Sequence, residues 1–205
     1  MRASAIRVLR SALGLPAWQV RWDAQVGLDM NLGAPRMELR QPRQSAARSA
    51  RVRAAFARRA VYLRGTHWLV AYPGRWRVDL ADGLAVRDTH SAKRLDMAVA
   101  RLGGELLDGL AINPGTGQTE FFFDLGGRIS VRWPRGRTPE PAAELWSMHS
   151  RSRFVAVFAG GQYDTGPLNQ ATSSPRPVGT SDWLVVARSA KREHGILEKL
   201  RTAAA

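Results

Sequence analysis

The sequence predicts an α+β fold: a curled antiparallel sheet of repeated β-hairpins, with one or two packed helices and an irregular C-terminal tail. Three observations predict it. Apolar and polar residues alternate with period two along most of the chain, Gly-containing turns break the alternation at short intervals, and two stretches switch to helical spacing.

In chain order, "MRASAIRVLRSALGL" carries Ile6, Leu9 and Leu13 at helical spacing, with Arg2, Arg7 and Arg10 and no acid. A transit peptide has this pattern, and so does an amphipathic helix that packs on its own domain; the packed helix is expected. "AWQVRWDAQ" alternates Trp18, Val20 and Trp22 and reads as a strand. "GLDMNLGAPRMELRQPR", Gly27 to Arg43, reads as a hairpin. Leu28, Met30 and Leu32 alternate on one arm, Gly33-Ala34-Pro35 turns the chain, and Met37 and Leu39 alternate on the other.

"SAARSARVRAAFARRAVYL" reads as a helix with Val52, Phe56 and Leu63 on one side. Arg48, Arg51, Arg58 and Arg59 then form a neighbouring stripe. A strand follows around Trp68, Val70 and Tyr72. "GRWRVDLADGLAVRD" gives a hairpin that turns at Asp82-Gly83, with Arg75 and Arg77 on its polar face. Ser91 is placed to cap a helix that runs to Leu102, with Leu95, Ala98, Val99 and Leu102 as its apolar stripe and Gly103-Gly104 as its stop.

Leu110 to Ile112 reads as a strand before a Pro-Gly turn. "EFFFDLGGRISVRWPR", Glu120 to Arg135, has the layout of the 27–43 and 74–88 stretches, and the three read either as an internal repeat or as the shared look of amphipathic hairpins. Phe121, Phe123 and Leu125 share one face and Phe122 takes the other, so Phe122 lies either under another element or on an exposed contact surface. A further hairpin spans Trp146 to Phe158. Residues 1–163 are thus expected to form one domain with a basic N-terminal part (1–64), 164–182 a linker, and 183–205 a helical C-terminal segment.

Of 205 residues, 44% are hydrophobic, enough for a real core, and there is no Cys. Disulfides, thiolate catalysis and Cys-based metal sites are therefore excluded. No apolar run reaches the roughly 20 residues of a membrane span, so no membrane role is expected and a cytoplasmic setting is. The formal charge is +14, and the 64 residues to Arg64 hold thirteen Arg against three acids. The positive field is an N-terminal property, suited to an acidic partner.

Enzyme and cofactor chemistry find little support. "RDTHSAKRLD" gathers Asp88, His90, Ser91 and Asp96, but residues adjacent in sequence rarely converge as a triad must. His67, His90, His149 and His194 show no metal-ligand spacing. The Gly pairs form neither a dinucleotide fingerprint nor a P-loop. No catalytic residue, metal ligand or cofactor is assigned; an enzyme with a cleft near His90 and His149 is the least favoured reading. Trp68 and Trp76 read as core residues, or less readily as the lining of a groove.

"FFFDLGGRISVR" followed by "ELWSMHSRSRFVAVFAGGQY" resembles a loose class of small bacterial β-rich proteins of the toxin-immunity type, over roughly Leu102 to Tyr163. The resemblance implies a non-enzymatic protein that masks another. The expected function is occlusion of an acidic protein partner, with Arg48, Arg51, Arg58 and Arg59 steering association and Arg75 and Arg77 adding to the basic surface. The alternative is a nucleic-acid-associated protein whose same arginines contact phosphates.

Overall fold

The alternating stretches pair into two antiparallel sheets whose apolar faces share one core. The computed structural model describes residues 1–24, 26–72, 76–134, 143–168, 175–179 and 182–204. The first sheet holds β1 (Ala17–Asp23), β2 (Gly27–Leu32), β5 (His67–Ala71), β11 (Glu144–Ser150), β12 (Arg153–Phe158), β13 (Gln162–Pro167) and β14 (Arg176–Pro177), in that spatial order. The second runs β15 (Leu184–Ala187), β8 (Leu107–Ile112), β9 (Thr119–Phe123), β10 (Arg128–Val131), β6 (Trp76–Asp79) and β7 (Ala85–Arg87). A separate two-stranded ribbon pairs β3 (Arg36–Arg40) with β4 (Ala60–Arg64). Neither large sheet closes into a barrel, and with its helices the chain is a mixed α+β fold of mostly β content.

Period two puts Leu28, Met30, Leu69, Met148 and Val155 on the inner face of the first sheet and Val78, Leu110, Phe121 and Ile129 on that of the second. All nine belong to a single hydrophobic cluster. The Trp146 ring meets the Phe121 ring edge-on across this core, with centroids 5.1 Å apart.

Helix α1 (Ala3–Ala12) buries Ala5, Val8, Leu9 and Ala12, the packed amphipathic helix that its spacing predicts. The N-terminal ammonium donates to the Val178 carbonyl at 2.6 Å. Helix α3 (Ala92–Ala100) lies against β1 and buries Leu95, Ala98 and Val99, the expected stripe. Ser91 has the extended backbone of an N-cap, but its hydroxyl caps nothing; only its carbonyl enters the helix, accepting from the Leu95 N–H. The remaining helices are α2 (Ala50–Phe56) and α4 (Ala190–Ala204).

The hairpins expected at 76–87, 120–131 and 146–158 are present as β6–β7, β9–β10 and β11–β12. The one expected over 27–43 is not. β2 pairs with β1 and β5, and β3 leaves the sheet to pair with β4. The alternation belongs to two strands with different partners, which local pattern cannot distinguish from a hairpin. Sequence-adjacent pairing would have given one long meander, but two sheets form because β5 joins β11 and β10 joins β6.

The stretch expected as a linker holds structure on both flanks. β13 runs to Pro167 beside β12, and Val178 is fully buried. The last segment is not helical throughout, because β15 pairs with β8 before α4 begins.

Candidate functional site

Between β2 and β5 the chain leaves the body as an arm, residues 36–64, with nine arginines and one acid, Glu38. β3 and β4 form its stem, and α2 and the stretch 41–49 its tip. Ser49 starts α2 as its N-cap, its hydroxyl accepting from the Val52 N–H. The helix lasts only seven residues and buries none of them.

The expected Arg stripe is therefore rearranged. Only Arg51 of the four lies within α2; Arg48 precedes the cap, and Arg58 and Arg59 follow the last turn. β4 claims 60–64 because Val61 and Leu63 pair across the ribbon with Leu39 and Met37, and that pairing ends the helix before Arg58. Leu63, expected on the helix face, is a strand residue. The four arginines still share the arm's tip. All four are exposed, and none meets an acid among the described residues. Arg59 donates to the Gln41 side-chain carbonyl at 3.2 Å.

The tip is ordered by arginines outside the expected set. Arg53 donates to the carbonyls of Ala47 (2.9 Å) and Arg48 (2.7 Å). Arg40 and Arg43 lie over the Phe56 ring at 4.4 and 4.6 Å, cation–π contacts that hold α2 against the stem. Beside them is a cleft of about 500 Å³ lined by Pro42, Arg43, Gln44 and Arg53, among others. Arg36 and Arg64 pair with Glu38, the arm's one acid.

Cross-strand register sorts the ribbon into two faces. Met37 opposite Leu63 and Leu39 opposite Val61 make one face, exposed to 75%, 55%, 50% and 59% respectively. The other carries Arg36, Glu38, Arg40, Tyr62 and Arg64. An isolated two-stranded ribbon has no sheet to cover its apolar face, so four neighbouring apolar side chains stand in water. Their alternation is visible in the sequence; their exposure is not, because the same pattern serves a buried strand.

The other expected contact residues lie elsewhere. Arg77 is on β6 of the second sheet, where it donates to Asp79 at 2.7 Å. Asp79 also accepts from Arg128 at 2.9 Å, so Arg77 belongs to an ion-paired sheet face rather than to the arm. Arg75 lies outside the described residues. Phe122 is not an exposed contact: it is buried against Ala111, Ile196 and Leu200, because α4 packs on the outer face of the second sheet.

His90 and His149 do not form a common cleft. His90 sits in the turn after β7, its Nδ1 accepting from the Arg87 N–H. His149 is on β11 in the first sheet and packs its ring 5.3 Å from that of Trp68. Arg64, at the base of the arm, covers the same Trp68 ring at 4.0 Å. The Trp68 side chain on β5 thus touches both Arg64 of the arm and His149 of the sheet, whereas Trp76 is core. Among the described residues no group of three or more His, Asp or Glu side chains is placed to hold a metal ion. No helix among them is long and apolar enough to cross a membrane.

No protein-family model, curated protein or solved structure matches the chain.

Proposed function

We propose that this chain is a non-enzymatic binding protein of the cytoplasm, immunity-like in action, whose arm docks on an acidic protein partner and masks it. The observation that carries the reading is the apolar face of Met37, Leu39, Val61 and Leu63 on the stem of an arm whose tip carries four exposed arginines that meet no acid among the described residues. Covering each such side chain returns about 1.5–3 kcal/mol, which gives affinity. The arginines raise the association rate and select a negative surface. Phosphate contact needs the arginines alone; the apolar face has no use on a nucleic-acid backbone, and it favours protein over nucleic acid.

The test uses fluorescence anisotropy with three labelled probes: a peptide alternating Glu and Leu, a poly-Glu peptide of equal charge, and a DNA duplex. The expected order is alternating peptide, then poly-Glu, then duplex. A Met37→Ser, Leu63→Ser variant should weaken only the alternating peptide, and Arg→Ala at 48, 51, 58 and 59 should slow association and flatten its salt dependence. Tight duplex binding that survives the serine variant would replace this reading with the nucleic-acid one.

A further inference from the structure

The outer face of the first sheet holds a cavity, distinct from the arm's tip, that the binding reading does not use. The described residues enclose about 180 Å³ there, lined by Tyr72, Glu144, Ser147, His149, Phe154 and Ala156, with Leu168 at its edge. At roughly 30 Å³ per molecule of liquid water, this is room for about six waters, or one small ring.

A bulge builds the polar side. Strict alternation along β11 would send Glu144 inward with Trp146 and Met148. The register slips between Glu144 and Trp146, so Leu145 and Trp146 both enter the core and Glu144 turns outward beside Ser147. The side chains of Tyr72, Glu144 and Ser147 then hydrogen-bond one another. Ser147 Oγ also lies 3.1 Å from His149 Nε2. Ala156, directly opposite Ser147 on β12, is small enough to leave the space open. Phe154 forms the apolar wall, its ring 6.2 Å from that of His149 and 30° from parallel.

Burial acts on each titratable group of the lining. It pushes the Glu144 carboxyl up, with nearby Asp164 adding to the effect, and it pushes the Tyr72 hydroxyl up. It pulls His149 down, with Arg64 adding to that. The lining is thus a set of partly desolvated hydrogen-bonding groups facing aromatic walls.

We infer that this cavity is a binding site for one small planar ring that carries a hydrogen-bonding group, its apolar side against Phe154 and His149 and its polar edge on Glu144, Ser147 and Tyr72. Such a guest keeps the polar network satisfied and fills the apolar side, which a molecule without the ring cannot do.

The experiment is an NMR titration of the full chain with benzamide, followed at the His149 ring protons. Acetamide serves as the same hydrogen-bonding group without the ring. Benzamide should shift the His149 signals saturably with a Kd on the order of 1 mM, as suits a ligand of one ring. Acetamide should bind at least tenfold more weakly. Ala156→Leu, which fills the cavity, should abolish the shift. Ser147→Ala, which removes one hydroxyl without adding bulk, should weaken binding severalfold and keeps the test open should Ala156→Leu fail to fold. Absence of a saturable shift, equal binding of acetamide, or full binding by either folded variant would overturn the assignment.

Discussion

The indole nitrogen of Trp146 donates to the hydroxyl of Thr119 at 2.7 Å, a hydrogen bond that joins the two sheets through the core. The Thr119 hydroxyl itself donates to the Gly117 carbonyl at 3.0 Å, so its oxygen both accepts and donates while fully buried. Thr119→Val keeps the shape and removes the acceptor. The buried indole N–H is then left unpaired, at about 1–3 kcal/mol. Thr119→Ser keeps the acceptor and should cost less. Urea unfolding reads both: the midpoint falls further for Val than for Ser, at an unchanged slope. Equal losses would mean that the methyl group matters and the hydrogen bond does not.

Stability should respond to pH in two opposed ways. Glu105 is buried with its carboxylate accepting from the Gly127 N–H at 3.0 Å. Burial raises its pKa above the ordinary 4.5, the Gly127 hydrogen bond opposes this, and Asp124 adds to the rise. The folded chain therefore holds this proton more tightly than the unfolded one. The resulting stability is full below pH about 4.5 and is lost as pH rises through the folded value. Burial lowers His67 from its ordinary 6.5. Its contribution is full above pH about 6.5 and is lost as pH falls through the lowered folded value. Glu105→Gln should therefore be less sensitive than wild type to a rise in pH above about 4.5. Parallel stability curves for the two proteins would refute the buried-carboxyl account.

Much of this was legible from spacing alone. The apolar stripe of α3 and three hairpins follow from local periodicity, because in each case the pattern and its partner lie within a few residues. The failures share a cause. Met37 and Leu39 alternate as Leu28 and Met30 do, yet one pair stands in water and the other in the core. The difference lies in what covers the strand, and that is decided by residues far along the chain. Phe122 is buried by Ile196 and Leu200, more than 70 positions later. Arg58 and Arg59 continue a helical pattern, but pairing of Val61 with Leu39 takes the next residues into a strand. The Glu144 cavity depends on a bulge, which reverses the face that alternation assigns.

The arm should loosen without the body unfolding. α2 buries nothing, and its ribbon is not hydrogen-bonded into either large sheet. The Phe56 ring under Arg40 and Arg43 is its main anchor. Phe56→Ala should leave the unfolding free energy from urea titration within about 0.5 kcal/mol of wild type, as for a residue outside the core. Trypsin should cut the arm severalfold faster, since local opening is what exposes its arginines to cleavage. A matching fall in global stability would show that arm and body unfold as one unit.

Gly161 offers a sharper test of how the loops at one end of the sandwich are held. Its φ is +70°, and a Cβ there would lie 1.6 Å from the Pro114 carbonyl oxygen. Gly160 has φ +81° with open space around its Cβ position. Both would strain a non-glycine backbone, but of the two only Gly161 has the backbone of the 114–115 turn against it. Gly160→Ala should cost roughly 1 kcal/mol from the left-handed conformation alone. Gly161→Ala adds a backbone clash that the loop can relieve only by breaking neighbouring hydrogen bonds. These run from Gly160 N–H to Thr116 at 3.1 Å and from Val178 N–H to Gly161 at 2.9 Å. Its cost should exceed that of Gly160→Ala by a further ~1–3 kcal/mol, read as a lower urea midpoint. If the two variants unfold at the same midpoint, the 114–116 loop swings away freely, and it does not clamp the second sheet to the end of β12.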